Sequence, residues 1–269
     1  MSEHRQQFFN KYRHLHDQNL QFEWCKLLNR LNQRSLAFVV TKENPLTTAD
    51  VSIACIVSPP FEENTFVASL PGRDDCIVVD PGMTPQQVIA YIEREKRTPA
   101  AFLITHGHGD HIAGNAALKR RWPECPIVIG RSEAGKLTDA VENLSAALGM
   151  GVTSPPADVL LDENETYEVA GFRFETRSIP GHSSGHIVFI WLDHAPPIVF
   201  GGDVLFSGSI GRTDFPGGSF EVLAAGIHNH LFTLPDETVV LSGHGPATTI
   251  GQEKEHNPYV GKAAQRRSR

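Results

Sequence analysis

Three imidazoles and a carboxylate fall within the six residues from His106 to His111, in Thr105-His106-Gly107-His108-Gly109-Asp110-His111. Such a density of neutral nitrogen and anionic oxygen donors points to metal chemistry. The cluster follows the apolar run Ala100-Ala101-Phe102-Leu103-Ile104, which reads as a strand. In an extended segment alternate side chains share a face, so His106 and His108 can grip one ion. Asp110 and His111 come where Gly109 lets the chain turn into a helix opened by Ile112 to Lys119, and this pair can face a second ion nearby. Gly107 and Gly109 let the backbone wrap closely around such a site.

Three distal residues share the same setting of a strand end running into a glycine-rich turn. They are His182 in Pro180-Gly181-His182-Ser183-Ser184-Gly185-His186, Asp203 in Phe200-Gly201-Gly202-Asp203, and His244 in Ser242-Gly243-His244-Gly245-Pro246. Taken singly, His182 and His244 read equally well as ordinary turn histidines; together with Asp203 and the first cluster they read as ligands. His186 opens an apolar strand and is expected to support the ligands from behind, and Asp80 in Asp80-Pro81-Gly82 to form a turn or do the same. His14, His16, His194, His228, His230 and His256 show no pattern and are expected at the surface.

The elements that must position these residues are mostly strands. Val51 to Val57, Thr65 to Ser69 and Cys76 to Val79 are strand candidates, followed by a helix opened by Thr84-Pro85 with Val88, Ile89 and Ile92 on its apolar face. Ile127 to Ile129 is a short strand leading into an insertion expected to be helix-rich and to end at Gly149 to Gly151. Strands then recur at 166–170, 172–179, 186–192 and 198–200, a helix at Phe220 to Phe232 and a last strand at Thr238 to Leu241. Two β-rich halves with helices outside imply two sheets packed face to face, with the site along one edge. Before this, Leu20, Trp24, Leu27, Leu28 and Leu31 fall on one helical stripe, so residues 1–45 are read as a helical extension and 46–269 as the catalytic domain.

With 269 residues there is ample chain for one large core. The net charge of −7 argues against a nucleic-acid surface, since the only basic cluster is the short run from Lys262 to Arg269. Cys25, Cys55, Cys76 and Cys125 are scattered and lie in no nucleophile motif, which suggests reduced thiols and a cytoplasmic protein. No run approaches the ~18 apolar residues of a membrane span.

The full set His106, His108, Asp110, His111, His182, Asp203 and His244 resembles the ligand pattern of the metallo-β-lactamase fold superfamily, over about residues 51 to 260. The resemblance implies an α/β fold, a four-layer αββα sandwich, here with an extra N-terminal helix. It implies one metal held by His106, His108 and His182 and another by Asp110, His111 and His244, with Asp203 bridging and with Asp110 and Asp203 as the catalytic carboxylates. Two divalent ions follow, Zn²⁺ first, with Fe²⁺ or Mn²⁺ as alternatives. Ions ~3.5–4 Å apart can share a water and lower its pKa, so no Ser or Cys nucleophile is needed.

Gly211-Arg212-Thr213-Asp214-Phe215, with Asn257-Pro258-Tyr259, is similar to the glyoxalase II-like branch, in its small bacterial form without a C-terminal helical domain. That branch implies a thioesterase whose small-molecule substrate is a glutathione conjugate such as S-lactoylglutathione. Arg212 is either a substrate contact or one half of a turn-forming pair with Asp214. The same loop is similar to that of persulfide dioxygenases, which would use one iron on His106, His182 and Asp203. A metal-binding module without catalysis is the third reading.

Overall fold

A computed structural model describes residues 46–47 and 51–267 of the chain. The helical extension expected over residues 1–45 lies outside the described residues. Strands β1 (Leu46–Thr47), β2 (Ser52–Ser58), β3 (Glu63–Ser69) and β4 (Asp75–Val79) form an antiparallel meander. Helix α1 (Pro85–Arg94) then crosses over to β5 (Thr98–Ile104), which pairs parallel with β4. The short helices α2 (Gly109–Ile112) and α3 (Asn115–Arg121) lead to β6 (Ile127–Gly130) and β7 (Val159–Leu161), also parallel, completing a seven-stranded mixed sheet in chain order.

The second sheet begins with β8 (Thr166–Val169), β9 (Phe172–Ser178), β10 (Ile187–Trp191) and β11 (Ile198–Gly202), all antiparallel. A hairpin of β12 (Leu205–Phe206) and β13 (Ser209–Ile210) follows, then helix α4 (Phe220–Gly226), which continues as a single wider turn through Leu231. Strand β14 (Val239–Ser242) pairs parallel with β11, and β15 (Thr248–Thr249) closes that edge before α5 (Ile250–His256) and α6 (Lys262–Arg267). The sheet has six strands and is also mixed.

Alternation within single strands shows why the layers stack as they do. In β4 and β5, Ile77, Val79, Ala101 and Leu103 pack between the sheets, whereas Cys76, Val78, Phe102 and Ile104 pack beneath the helices of their own side. In β10, Ile187, Phe189 and Trp191 face the first sheet while Val188 and Ile190 face α4 and α5. A strand apolar on both faces needs cover on both, and the result is the expected αββα arrangement. Aromatic side chains fill the middle layer, with the Phe66 and Phe200 rings 5.8 Å apart across the two sheets.

The insertion after β6 differs from its expectation. It holds only two 3₁₀ stretches, Arg131–Leu137 and Ala146–Leu148, the second ended by Gly149 at φ +72°. The Asn143 side chain pins the backbone instead, donating to the carbonyls of Lys136 and Val152. Among the described residues no helix is long and apolar enough to cross a membrane.

Candidate metal centre

Every candidate ligand lies in the segment that follows a strand, Asp110 and His111 within helix α2. β5 delivers Thr105 to His111, β9 leads to His182, β11 runs into Asp203 and β14 into His244. The two sheets are stitched together at this edge by the Ile187 N–H donating to the Thr105 carbonyl at 3.0 Å. Two glycines let the four loops converge. A side chain at Gly243 would put its Cβ 2.7 Å from His111 Cε1 and against Asp203, and one at Gly202, which has φ +46°, would lie 2.7 Å from His186 Nε2.

Two groups of donors result. In one, His108 Nδ1 lies 3.0 Å from both His106 Nε2 and His182 Nε2. In the other, His244 Nε2 is 3.4 Å and His111 Nε2 is 4.0 Å from Asp110 Oδ2. Asp203 lies between them: its Oδ1 is 3.4 Å from His111 Nε2, and its Oδ2 is 3.4 Å from His182 Nε2 and 3.5 Å from His244 Nε2. All seven sequence candidates are thus brought together. His106, His108 and His182 form one set of atoms compact enough for a single cation, and Asp110, His111 and His244 another.

Hydrogen bonding behind the rings decides which nitrogens face inward. The His111 Nδ1–H donates to Asp80 Oδ2 at 3.1 Å, His182 Nδ1–H to the Arg212 carbonyl at 2.9 Å, and His244 Nδ1–H to the Phe61 carbonyl at 3.0 Å. Thr105 Oγ1 donates to Asp80 Oδ2 at 2.7 Å, so at 3.1 Å it accepts from His106 Nδ1. With Nδ1 occupied as a donor, each of these four rings turns its Nε2 inward. Three nitrogens meeting at 3.0 Å can share at most one proton, and their mutual repulsion is relieved by a cation. His111 Nε2 and Asp203 Oδ1 are buried without a hydrogen-bond partner. Orphaned, inward-aimed atoms of these types fit metal ligation.

The supporting residues divide the work. Asp80 takes the Thr105 N–H at 2.8 Å as well as the Thr105 hydroxyl and His111, so one carboxylate steadies both groups. His186 stacks on His106 and accepts the Asp203 N–H at Nε2, 3.0 Å away. Asn64, which the sequence reading missed, takes hold of the His244 turn: its Nδ2 donates to the carbonyls of Ser242 and Gly245, and its N–H to Gly243. Its place in the Glu63–Ser69 strand gave no sign of this, because the contact spans about the whole domain. Glu133, also missed, is buried with its carboxylate facing the His106 and His182 loops. His194, expected at the surface, is buried against Trp191, its Nδ1 donating to the Pro196 carbonyl.

The electrostatics differ between the groups. Burial, then mutual repulsion among the rings, pushes the pKa of His106 and His108 well below the ordinary value, so these imidazoles are neutral donors. Burial would also lower His111, but the Asp203 and Asp110 carboxylates outweigh it and hold its pKa well above normal. Burial opposes the ionisation of Asp110, yet His111 and His244 pull its pKa down to about 2. Asp203 is likewise held well below the usual carboxylate range by His244 and His111 against its own burial. On this side the carboxylates of Asp110 and Asp203 and the imidazoles of His111 and His244 therefore favour one another's charged forms.

A family model described as the metallo-beta-lactamase superfamily matches residues 59–244, which includes every one of these groups. The chain belongs to the metallo-beta-lactamase superfamily. It is 39% identical over 202 residues to the probable metallo-hydrolase YqgX of Bacillus subtilis, covering 75% of this chain and 93% of that protein. It is 37% identical over 190 residues to the hydroxyacylglutathione hydrolase GloC of Haemophilus influenzae, covering 68% and 86%. The solved structure of BLEG-1 B3 metallo-beta-lactamase superposes with a TM-score of 0.74 at 38% identity, over 77% of this chain and 99% of that one.

Proposed function

We propose that this superfamily member is a binuclear metallo-hydrolase acting on thioesters, with hydroxyacylglutathione conjugates such as S-lactoylglutathione as its best substrates. The observation that carries the reading is the pair of donor groups with Asp203 between them. His106, His108 and His182 would hold one ion, Asp110, His111 and His244 the other, and Asp203 would touch both. Zn²⁺ suits this nitrogen-rich set, and Fe²⁺ or Mn²⁺ could also occupy it. Two such dications supply a water that ionises near neutrality and an electrophilic pull on a carbonyl.

The chain's own residues supply orientation. Ionised Asp110, about a fifth exposed at its side chain, stands at the solvent side of the site, where it can accept a hydrogen bond from an incoming water and orient it. Among the described residues a cysteine nucleophile has no support: burial pushes the Cys55, Cys76 and Cys125 thiols up to about 12. At the rim, Phe215 packs edge-on against His108 and His182, and the Arg212 guanidinium lies 4.1 Å from the Phe215 ring while forking onto Asp214. Arg212 is the proposed contact for a carboxylate on the thiol half of the substrate. The identity with GloC supports the glutathione thioester assignment.

The test is thiol release from S-lactoylglutathione by protein loaded with Zn²⁺, run beside oxygen uptake with glutathione persulfide and iron, and beside hydrolysis of a β-lactam. Thiol release with no oxygen uptake and slow β-lactam turnover is expected. Oxygen uptake without thiol release would move the assignment to a mononuclear persulfide dioxygenase, and inertness in all three would favour a metal-binding module.

A further inference from the structure

We infer that Glu133 is a positioning residue for the His106, His108 and His182 group alone, and so sets the affinity of one metal site without acting on the other. This rests on the two-site reading above. Glu133 lies in the 3₁₀ stretch Arg131–Leu137 and is fully buried. Its Oε2 accepts the Gly107 N–H at 2.8 Å, and Gly107 is the residue between His106 and His108. Its Oε1 accepts the Gly185 N–H at 2.7 Å, in the loop that carries His182. The Ser183 hydroxyl lies 2.8 Å from both oxygens, and Lys136 Nζ donates to Oε1 at 2.8 Å while also bonding Ser183 and Ser184.

One carboxylate therefore ties a loop of the first sheet to a loop of the second, at the two places that supply the triad. None of these bonds goes to Asp110, His111 or His244. Both oxygens face N–H donors, so a carboxylate, which only accepts, is the required chemistry. An amide of the same shape must turn its NH₂ toward one donor or the other, losing that loop's tether and leaving Lys136 beside a neutral group. The sequence gives little sign of this, because Glu133 and the residues it grips are separated by 26 residues on one side and 52 on the other.

The experiment places Glu133→Gln in two backgrounds. In Asp110→Ala the triad is intact and the other group is crippled; in His182→Ala the reverse holds. Zn²⁺ affinity is measured by competition with a chromophoric chelator, alongside the thermal midpoint of each metal-free variant. Glu133→Gln should weaken binding ~10–100-fold in the Asp110→Ala background, the range for an outer partner of a ligand, and by less than about threefold in the His182→Ala background. Equal losses in both backgrounds would show general destabilisation and overturn the inference, as would no loss in the first. Should Glu133→Gln not fold, Ser183→Ala and Lys136→Met, which each remove one of its partners, must show the same asymmetry. If the wild type binds a single equivalent, the two-site reading fails, while Glu133 is still judged by whether Glu133→Gln weakens that equivalent.

Discussion

The two donor groups are built from similar residues but held in different ways. The His106, His108 and His182 group is wholly imidazole and nearly sealed, at 0%, 7% and 2% exposed. Its rings are neutral because burial makes them so, and its geometry depends on loops tied from behind by Thr105, Arg212 and Glu133. The group of Asp110, His111 and His244 is more open, with the Asp110 and His244 side chains 21% and 25% exposed, and it is organised by charge. Two carboxylates there are ionised against their own burial because histidines face them. Packing therefore preorganises one site and electrostatics the other. A substrate would approach the second side, where solvent and the ionised Asp110 are.

Removing the residue that belongs to both groups should erase the contrast. Asp203→Ala is expected to lower metal content well below two equivalents and cut turnover by more than the ~10–100-fold typical of an outer partner. Metal analysis and steady-state kinetics check this; an active variant that retains two equivalents would show Asp203 is a spectator. Asp110→Ala should divide the groups instead. Metal content should fall from near two towards one, the survivor being the sealed triad, with a severe loss of hydrolysis. One tightly bound ion in the active wild type, with Asp110→Ala still active, would overturn the division.

The parts legible in sequence were those written locally. Alternating apolar strands, the Thr84-Pro85 helix start and the dense run from His106 to His111 carry their signal within a few residues, and the αββα layers follow from them. His182, Asp203 and His244 could be picked out because each sits in a glycine-rich turn at a strand's end. Glu133 and Asn64 could not. Each is one polar residue in an ordinary setting, and its function lies in backbone groups far along the chain that carry no side-chain signature. The insertion after β6 was misread because its segments have helix-like composition while the chain between its 3₁₀ turns is pinned by the Asn143 side chain, a contact with no local signature.

Asn64 offers a counterpart to Glu133 on the electrostatic side. It holds the turn carrying His244 by three hydrogen bonds, and nothing it donates to lies in the triad loops. Asn64→Ala keeps the backbone N–H bond to Gly243 but removes both side-chain bonds. It should weaken the second equivalent by ~10-fold, the lower end for outer support, while the first is unchanged. Chelator competition in the wild-type background, read as two phases, measures both. Loss of the tighter phase would mean that the His244 turn and the triad are coupled, and the contrast between packing and charge would blur.

Arg212 contributes to the site twice, through different atoms, and the smallest predicted effect separates them. Its backbone carbonyl receives His182 Nδ1–H and so belongs to the triad's support. Its side chain lies on Phe215 at the rim and pairs with the exposed Asp214. Arg212→Ala preserves the carbonyl and deletes the guanidinium, so metal content should stay at the wild-type value. An exposed pair of this kind contributes about 1 kcal/mol or less, so the thermal midpoint should move little. If the guanidinium binds a carboxylate of the substrate equally in the ground and transition states, KM should rise by roughly 3- to 10-fold with kcat unchanged. A neutral thioester lacking that carboxylate should show no such change. A fall in kcat with metal loss would instead show that the stack on Phe215 holds the His182 loop in place, making Arg212 part of the packed side of the site.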